Sequence, residues 1–320
     1  MTEQLDSRVH ISLDRLMRLQ HQAVGFSFLP RQPIHSLLAG RHSSTLRGRG
    51  LNFEELRRYR SGDDIRMLDW KVTRRLKKPH VRVFTEEKER TITLVVDQRV
   101  AMFFGSKQAM KSVVAAELAA LAGWRGLSSG DRIGAVIFND QTIVELKPQR
   151  SRHQLVRILN EIADFNQRLS IGALASPEQL NQVLKRVCQQ ATHDNLICII
   201  SDLTGADSTT DQAISRLSQH NDVLLGFVYD SFESSLPKGG KLAVSDGDLQ
   251  IEIDTNDGNL REQYQSQFDH RLNRARDYFQ KRGVPVLPIN TEQAVVQQLR
   301  ELLNQSGHRG AMVARLQGRA

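Results

Sequence analysis

Cysteine is almost absent from this chain: its 320 residues hold only Cys188 and Cys198. Their spacing makes no CxxC pair, which excludes a disulfide framework and gives no sign of a thiolate metal knuckle. Cys198 lies inside the apolar run NLICII and Cys188 on a predicted helix, so both read as packing residues in a reduced compartment. Long apolar runs are missing too. None approaches the roughly 18 residues that a membrane-spanning helix needs. The first thirty residues, beginning MTEQLDSRVH, carry acids early and no apolar h-region, so a secretory signal is not expected and the chain reads as cytoplasmic.

Catalytic motifs are equally scarce. There is no GxxxxGK[ST] loop, no G-x-S-x-G elbow and no HExxH pair, and the ten histidines are scattered. The RGRG of residues 47–50 lacks a preceding strand and the further glycine of a dinucleotide fingerprint, so it reads as a turn. The run from Asp254 to Gly258 places its glycine one position early for a calcium loop, with no glutamate at the twelfth position. No enzyme and no cofactor are expected.

What is present is an ordinary globular composition, 39% hydrophobic and 25% charged, in a chain long enough for two domains. The formal net charge of +8 is unevenly placed: Gly40 to Arg90 holds 15 Lys or Arg against 8 Asp or Glu. The chain is organised around Thr91 to Ser106, TITLVVDQRVAMFFGS. Its first seven residues have no clean polar alternation and predict a strand buried on both faces, ending in Asp97. Downstream, Ser106 is expected to cap a helix to about Trp124, and RIGAVIFND and QTIVELKP to form a hairpin across Asn139 and Asp140. Helices follow over Ser151 to Phe165 and Pro177 to Gln190, then the buried strand NLICIISDL, ending in Asp202. A helix over Asp211 to His220, the strand DVLLGFVYD, a late β-hairpin insertion across Asp246 and Gly247, a polar helix from Asn259 to Arg282, the strand GVPVLPI and a last helix complete the pattern. Near the start, Ser12 caps a short apolar-faced helix. Between them, Asn52 is expected to cap a helix FEELRRY, and His80 to Glu87 to alternate as a strand. Strands alternating with helices predict a doubly wound, mostly parallel α/β sheet.

In such sheets ligands sit at the carboxyl ends of strands, at the switch point, where Asp97 and Asp202 would converge. At about 5 Å and an effective dielectric near 20 two such charges repel by about 3 kcal/mol, so a cation or a set of donors must compensate. A strand ending in D-x-S-x-S, with a later strand ending in Asp, resembles the metal-ion-dependent adhesion site of von Willebrand factor A domains. That resemblance implies an A-like fold in which two aspartates, two serines and a threonine hold Mg²⁺. Here the motif is Asp97-Gln98-Arg99-Val100-Ala101, so both serines are replaced. The site, Asp97, Arg99, Ala101 and Asp202, is therefore degenerate and no metal is expected in it. Two readings of Arg99 stand side by side: it points to solvent while backbone N–H groups of the loop satisfy the acids, or its guanidinium takes the metal's place and pairs with Asp97 or Asp202.

The segment RGRGLNFEELRRYRSGDDIRMLDWKVTRR is similar to the signature of the bacterial proteins called domain of unknown function 58. Gly48, Gly50, Phe53, Arg57, Tyr59, Gly62, Asp63, Asp64, Arg66, Asp69, Trp70 and Arg74 match, and the likeness runs over about residues 40–304. The resemblance implies a partnership with a MoxR-type AAA+ ATPase in chaperone-like assembly or maturation of other proteins. Within the signature, Arg57, Arg66 and Arg74 are expected to clamp Asp63, Asp64 and Asp69, with Tyr59 and Trp70 packing the segment onto the sheet. The surplus cations offer a basic face for an acidic partner. Expected domains are 1–90, an N-terminal helix with the basic signature module; 91–304, the von Willebrand factor A-like domain; and 305–320, a basic disordered tail. The expected function is a non-enzymatic protein-interaction module engaging its partner or client at Asp97, Arg99 and Asp202. The competing expectation is a binder of anionic polymers, nucleic acid or membrane surface, through the basic segment and tail. A hydrolase using the two aspartates is a third possibility that lacks a nucleophile or metal in the sequence.

Overall fold

The computed structural model describes residues 6–23, 51–61, 63–86, 89–170, 172, 174–234, 240–245, 250–254, 256–260, 262, 263, 265, 266, 268 and 284–305. The segment 306–320, expected as the tail, and most of the polar helix from Asn259 lie outside the described residues, as do Gly48, Gly50 and Gly62 of the signature. The chain forms two compact units: Met1–Leu29 with Arg90–Ala320, and Pro30–Glu89. The expected 1–90 module is therefore divided. The amino-terminal helix α1 (Leu13–Arg18) belongs with the large unit because Leu16 and Leu19 bury in that unit's core.

In the small unit, β1 (Leu51–Arg58) pairs antiparallel with β2 (His80–Glu86), and between them lies the seven-residue helix α2 (Trp70–Leu76). The expected helix FEELRRY is thus a strand. Its pairing with β2, interrupted by an irregularity between Phe53 and Glu55, satisfies the backbone across the hairpin and overrides local helix propensity. Asp69 caps α2 by accepting from Lys71 N and Val72 N at 3.0 and 3.1 Å.

The large unit is built on β3 (Thr91–Asp97), followed by α3 (Lys111–Ser128), β4 (Arg132–Phe138), β5 (Ile143–Gln149), α4 (Arg152–Gln167), α5 (Gln179–Gln190), β6 (Leu196–Ser201), α6 (Ser208–His220) and β7 (Asp222–Tyr229). The short helix α7 (Ser231–Ser234), the hairpin β8 (Lys241–Ser245) and β9 (Gln250–Asp254), the edge strand β10 (Val286–Asn290) and α8 (Val295–Gln305) complete the described elements. The sheet order is β10-β7-β6-β3-β4-β5, parallel throughout except for β5, which returns antiparallel to β4 across the Asn139 turn. This is the expected α/β, mostly parallel sheet with helices on both faces. Ile92, Leu94 and Val96 of β3 join a core with α1, α3, α4 and α8, while Val95 joins a second core with α5 and α6. Burial on both faces explains why β6, and β3 from Leu94 on, carry no polar alternation. In α3, Gly126 lets the helix lie close on the sheet: a Cβ there would lie 2.5 Å from Ile92 Cδ1 and 2.7 Å from Ile133 Cδ1, so both side-chain ends would have to shift. No helix among the described residues is long and apolar enough to cross a membrane.

Candidate functional site

β3 leads through α3 to β4 on one side, and the chain later returns through α4 and α5 to place β6 on its other side. The switch point therefore lies between the carboxyl ends of β3 and β6, where Asp97 and Asp202 stand. The loop after β6 is shaped by left-handed backbone at Leu203 (φ 58°) and Gly205 (φ 84°). A Cβ on Gly205 would lie 2.4 Å from the carbonyl oxygen of Pro177, so only glycine lets these two loops meet.

Arg99 turns back onto Asp97. Its Nε donates to both carboxylate oxygens at 3.0 and 3.2 Å and its Nη2 to Oδ2 at 2.7 Å, while Ser201 Oγ donates to the same Oδ2 at 2.7 Å. The rest of the guanidinium donates to the carbonyls of Pro177 (3.1 Å) and Thr204 (2.9 Å) and lies 5.6 Å from the Phe138 ring centroid. With Asp97 at 0% exposure and Arg99 at 1%, the pair is sealed from solvent. The alternative in which Arg99 faces solvent is excluded. Two carboxylate oxygens and two carbonyl oxygens enclose a cation, and that cation is the chain's own.

Asp202 is met by a different group. Lys111 Nζ donates to its Oδ2 at 2.8 Å and to Glu233 Oε1 at 2.6 Å, and Thr204 supplies both its N–H and its hydroxyl to Asp202 at 2.8 Å. Lys111 is 2% exposed. The sequence reading does not single it out, although it stands in a stretch that becomes rich in Val, Ala and Leu from Val113 on, at the end of the helix where the dipole disfavours cations. Ser106, the expected cap of this helix, does not cap it. The helix begins at Lys111, and the Ser106 N–H donates instead to Asp230 at 2.9 Å.

Asp140 and Asp230, after β4 and β7, continue the row of acids along this edge. Asp140 accepts from Val100 N (2.6 Å) and Ser176 N (2.7 Å), stapling the loop after β3 to the loop before α5. Asp230 accepts from Ser106 N and Phe232 N and from the Thr291 hydroxyl.

Burial is the largest influence on both central acids. At Asp97 it pushes the carboxyl above its ordinary value against the pull of Arg99. At Asp202 the Lys111 ammonium overcomes burial and holds the carboxyl below the usual range. Burial alone would lower both cations, but Asp97 keeps the Arg99 guanidinium, and Asp202 with Glu233 the Lys111 ammonium, above their ordinary values.

The three expected contact residues Asp97, Arg99 and Asp202 are thus brought together but lie at 0%, 1% and 1% exposure. The loops of this edge also expose two large apolar side chains among polar ones such as Lys107, Gln108 and Glu178: Phe104, whose ring is 6.0 Å from Lys111 Nζ, is 36% exposed, and Leu174, in the loop before α5, is 83% exposed. Ala101 sits in the turn after Arg99 and offers no side-chain oxygen. Among the described residues no group of three or more His, Cys, Asp or Glu side chains is placed to hold a metal ion. A cavity of about 510 Å³ lies apart from these acids, between the strands β3, β4 and β5 and the end of α5.

In the signature unit the charges are arranged differently. Arg57 grips Asp63 with two bonds of 2.7 and 2.8 Å, and Arg60 N adds a third at 2.7 Å. Asp64 accepts from Arg66 N at 2.9 Å, with the Arg66 side chain 3.8 Å away, and Asp69 serves as the α2 cap. Among the described residues of this unit, only the Arg57–Asp63 clamp takes the bidentate form expected. Trp70, expected to pack the segment onto the sheet, is instead 69% exposed at the first position of α2. Arg74 is exposed and Tyr59 half-buried.

A family model described as Protein of unknown function DUF58 matches residues 55–274. Uncharacterized proteins of Mycobacterium bovis and Mycobacterium tuberculosis are 27% identical over 273 residues, covering 82% of this chain and 81% of theirs. Among solved structures, the conserved hypothetical protein BatB from Bacteroides thetaiotaomicron aligns with a TM-score of 0.40 at 11% identity, over 68% of this chain and 98% of that one. An aerotolerance-related membrane protein from Bacteroides fragilis aligns with a TM-score of 0.37 at 13% identity, over the same shares, 68% and 98%.

Proposed function

This chain belongs to the family of proteins of unknown function DUF58, and from that premise we propose that it is a von Willebrand factor A-like, non-enzymatic interaction protein that partners a MoxR-type AAA+ ATPase in assembly or maturation of other proteins. Its degenerate adhesion site works without a divalent ion, because Arg99 and Lys111 supply the positive charge from within. The observation that carries this reading is the pair of sealed ionic couples, Arg99 with Asp97 and Lys111 with Asp202, at 0–2% exposure. Acids so enclosed have no surface to offer a substrate, and each already accepts from a cation, which suits fixing loops and not proton transfer. The partner or client is met by the loops that these couples hold, through exposed Leu174 and Phe104.

Pull-down from native lysate with ATP present tests the reading, comparing wild type with Arg99→Ser and Leu174→Asp. Recovery of an AAA+ ATPase or its client by wild type, with the client lost from both variants, is the expected result. Failure of wild type to recover any AAA+ ATPase removes the partner assignment. Calorimetry with Mg²⁺ and Mn²⁺ tests the metal-free part: micromolar binding abolished by Asp97→Ala would overturn it. The second reading, binding of anionic polymers, is favoured by the basic excess of the signature unit, and submicromolar binding of duplex DNA at physiological salt would establish it.

A further inference from the structure

The signature unit exposes an unusual share of the molecule's apolar surface. Of the seven large hydrophobic side chains exposed among the described residues, five lie there: Leu56, Ile65, Met67, Trp70 and Leu76, at 39%, 63%, 41%, 69% and 49%. Leu56 to His80 also carries nine Lys or Arg against three Asp. All three acids are engaged within the unit: Asp63 by Arg57, Asp64 and Asp69 as caps. The exposed cations Arg58, Arg60, Lys71, Arg74, Arg75, Lys77 and Lys78 form no ion pair with a described carboxylate. Between Leu56 and His80 the unit thus shows solvent more cations than acids, with apolar side chains standing among them.

Three kinds of anionic surface attract such a face, and the apolar residues separate them. A lipid interface needs a continuous apolar stripe, but Trp70 and Leu76 stand about 120° apart around α2 with the polar Thr73 on the arc between them, and exposed Arg74 and Arg75 occupy the rest of the helix surface. Nucleic-acid interfaces are polar and wet and leave aliphatic side chains such as Ile65, Met67 and Leu76 without a dry partner. Tryptophan and arginine exposed together are the anchors of protein interfaces, where each fills a pocket surrounded by complementary charge.

We propose that the signature unit is a docking surface for an acidic protein face with apolar pockets, Trp70 being its anchor, and that this face belongs to the AAA+ ATPase. The proposal rests on the partner reading given above and divides the labour: the ATPase is held by the signature unit, leaving Leu174 and Phe104 of the large unit for the client.

The experiment is calorimetric titration of the full chain with the purified cognate MoxR-type ATPase and ATP, at two salt concentrations. Trp70→Ala and the double variant Lys71→Glu with Arg75→Glu are each expected to weaken binding at least tenfold, with melting temperature unchanged and with weaker binding by wild type at the higher salt. Equal binding by wild type and both variants overturns the docking surface while leaving the partner reading intact; no binding by wild type removes both. In a Trp124→Phe background Trp70 is the sole tryptophan, and duplex DNA or phosphatidylglycerol vesicles are not expected to shift its emission at physiological salt. A shift with either of those probes, with none of the tenfold losses against the ATPase, assigns the face to another class of partner and overturns the proposal.

Discussion

The two regions of paired charge in this molecule use the same chemistry to opposite ends. Asp97 and Arg99 are 0% and 1% exposed, while Asp63 and Arg57 in the signature unit are 18% and 35% exposed. A sealed pair has given up its hydration, and losing one partner strands the other; a pair open to water can exchange its partner for solvent. The crevice charges therefore hold loops in place, whereas the signature charges remain available to another molecule.

The largest effect that sharpens this contrast is expected at Lys111. Lys111→Met leaves Asp202 and Glu233 facing each other without their ammonium, and denaturant titration should show a loss of about 3–5 kcal/mol. Arg99→Met should cost a similar amount, and Arg99→Met with Asp97→Leu should recover most of it. A double variant as unstable as the single one would mean that the pair contributes more than its own neutralisation. Next, Gly205→Ala, at φ 84° and against the Pro177 carbonyl, should lower stability by about 1 kcal/mol or more, read as a fall in melting temperature.

The pH dependence comes third. The Asp202 carboxyl lies below its ordinary 3.8 in the folded protein, so as pH falls past that value the unfolded chain protonates first, and the couple's contribution drains away through the depressed folded value. The Lys111 ammonium lies above its ordinary 10.5, so the same couple is lost on the alkaline side as pH rises from 10.5 through the raised folded value. Urea melts across pH should show Lys111→Met losing the alkaline part of wild type's dependence. The smallest effect is expected at Arg57: Arg57→Ala should shift the melting temperature only slightly, because its half-buried pair with Asp63 is reached by water and salt. A loss at Arg57 as large as that at Lys111 would erase the distinction between the two regions.

Much of the sheet was legible because burial on both faces leaves a plain trace. β3, β6 and β7 are runs of β-branched and aliphatic residues that end beside an aspartate, and the Asn139 turn between β4 and β5 was written in its residues. β1 was not legible: Phe53-Glu54-Glu55-Leu56-Arg57 has helix-forming composition, and only pairing with β2, far along the chain, makes it a strand. Asp97, Arg99 and Asp202 could be placed together because strand ends and the switch point fix them. Lys111 is adjacent to Asp202 only in three dimensions, 91 residues from it in sequence, and the exposure of Trp70 depends on which side of a seven-residue helix meets its hairpin.

The amino-terminal segment also reaches the crevice, through a relay of amides. Ile11 N–H donates to Asn166 Oδ1 at 2.7 Å, Asn166 Nδ2 donates to Gln98 Oε1 at 3.2 Å, and Gln98 sits between Asp97 and Arg99 with 0% exposure. Trimming the chain to its sheet, or pulling residues 6–23 away with a bulky fusion, would strip Asn166 of a donor two links from the Asp97–Arg99 couple. The leading residues thus brace Gln98 through Asn166, and a shortened protein would lose that brace.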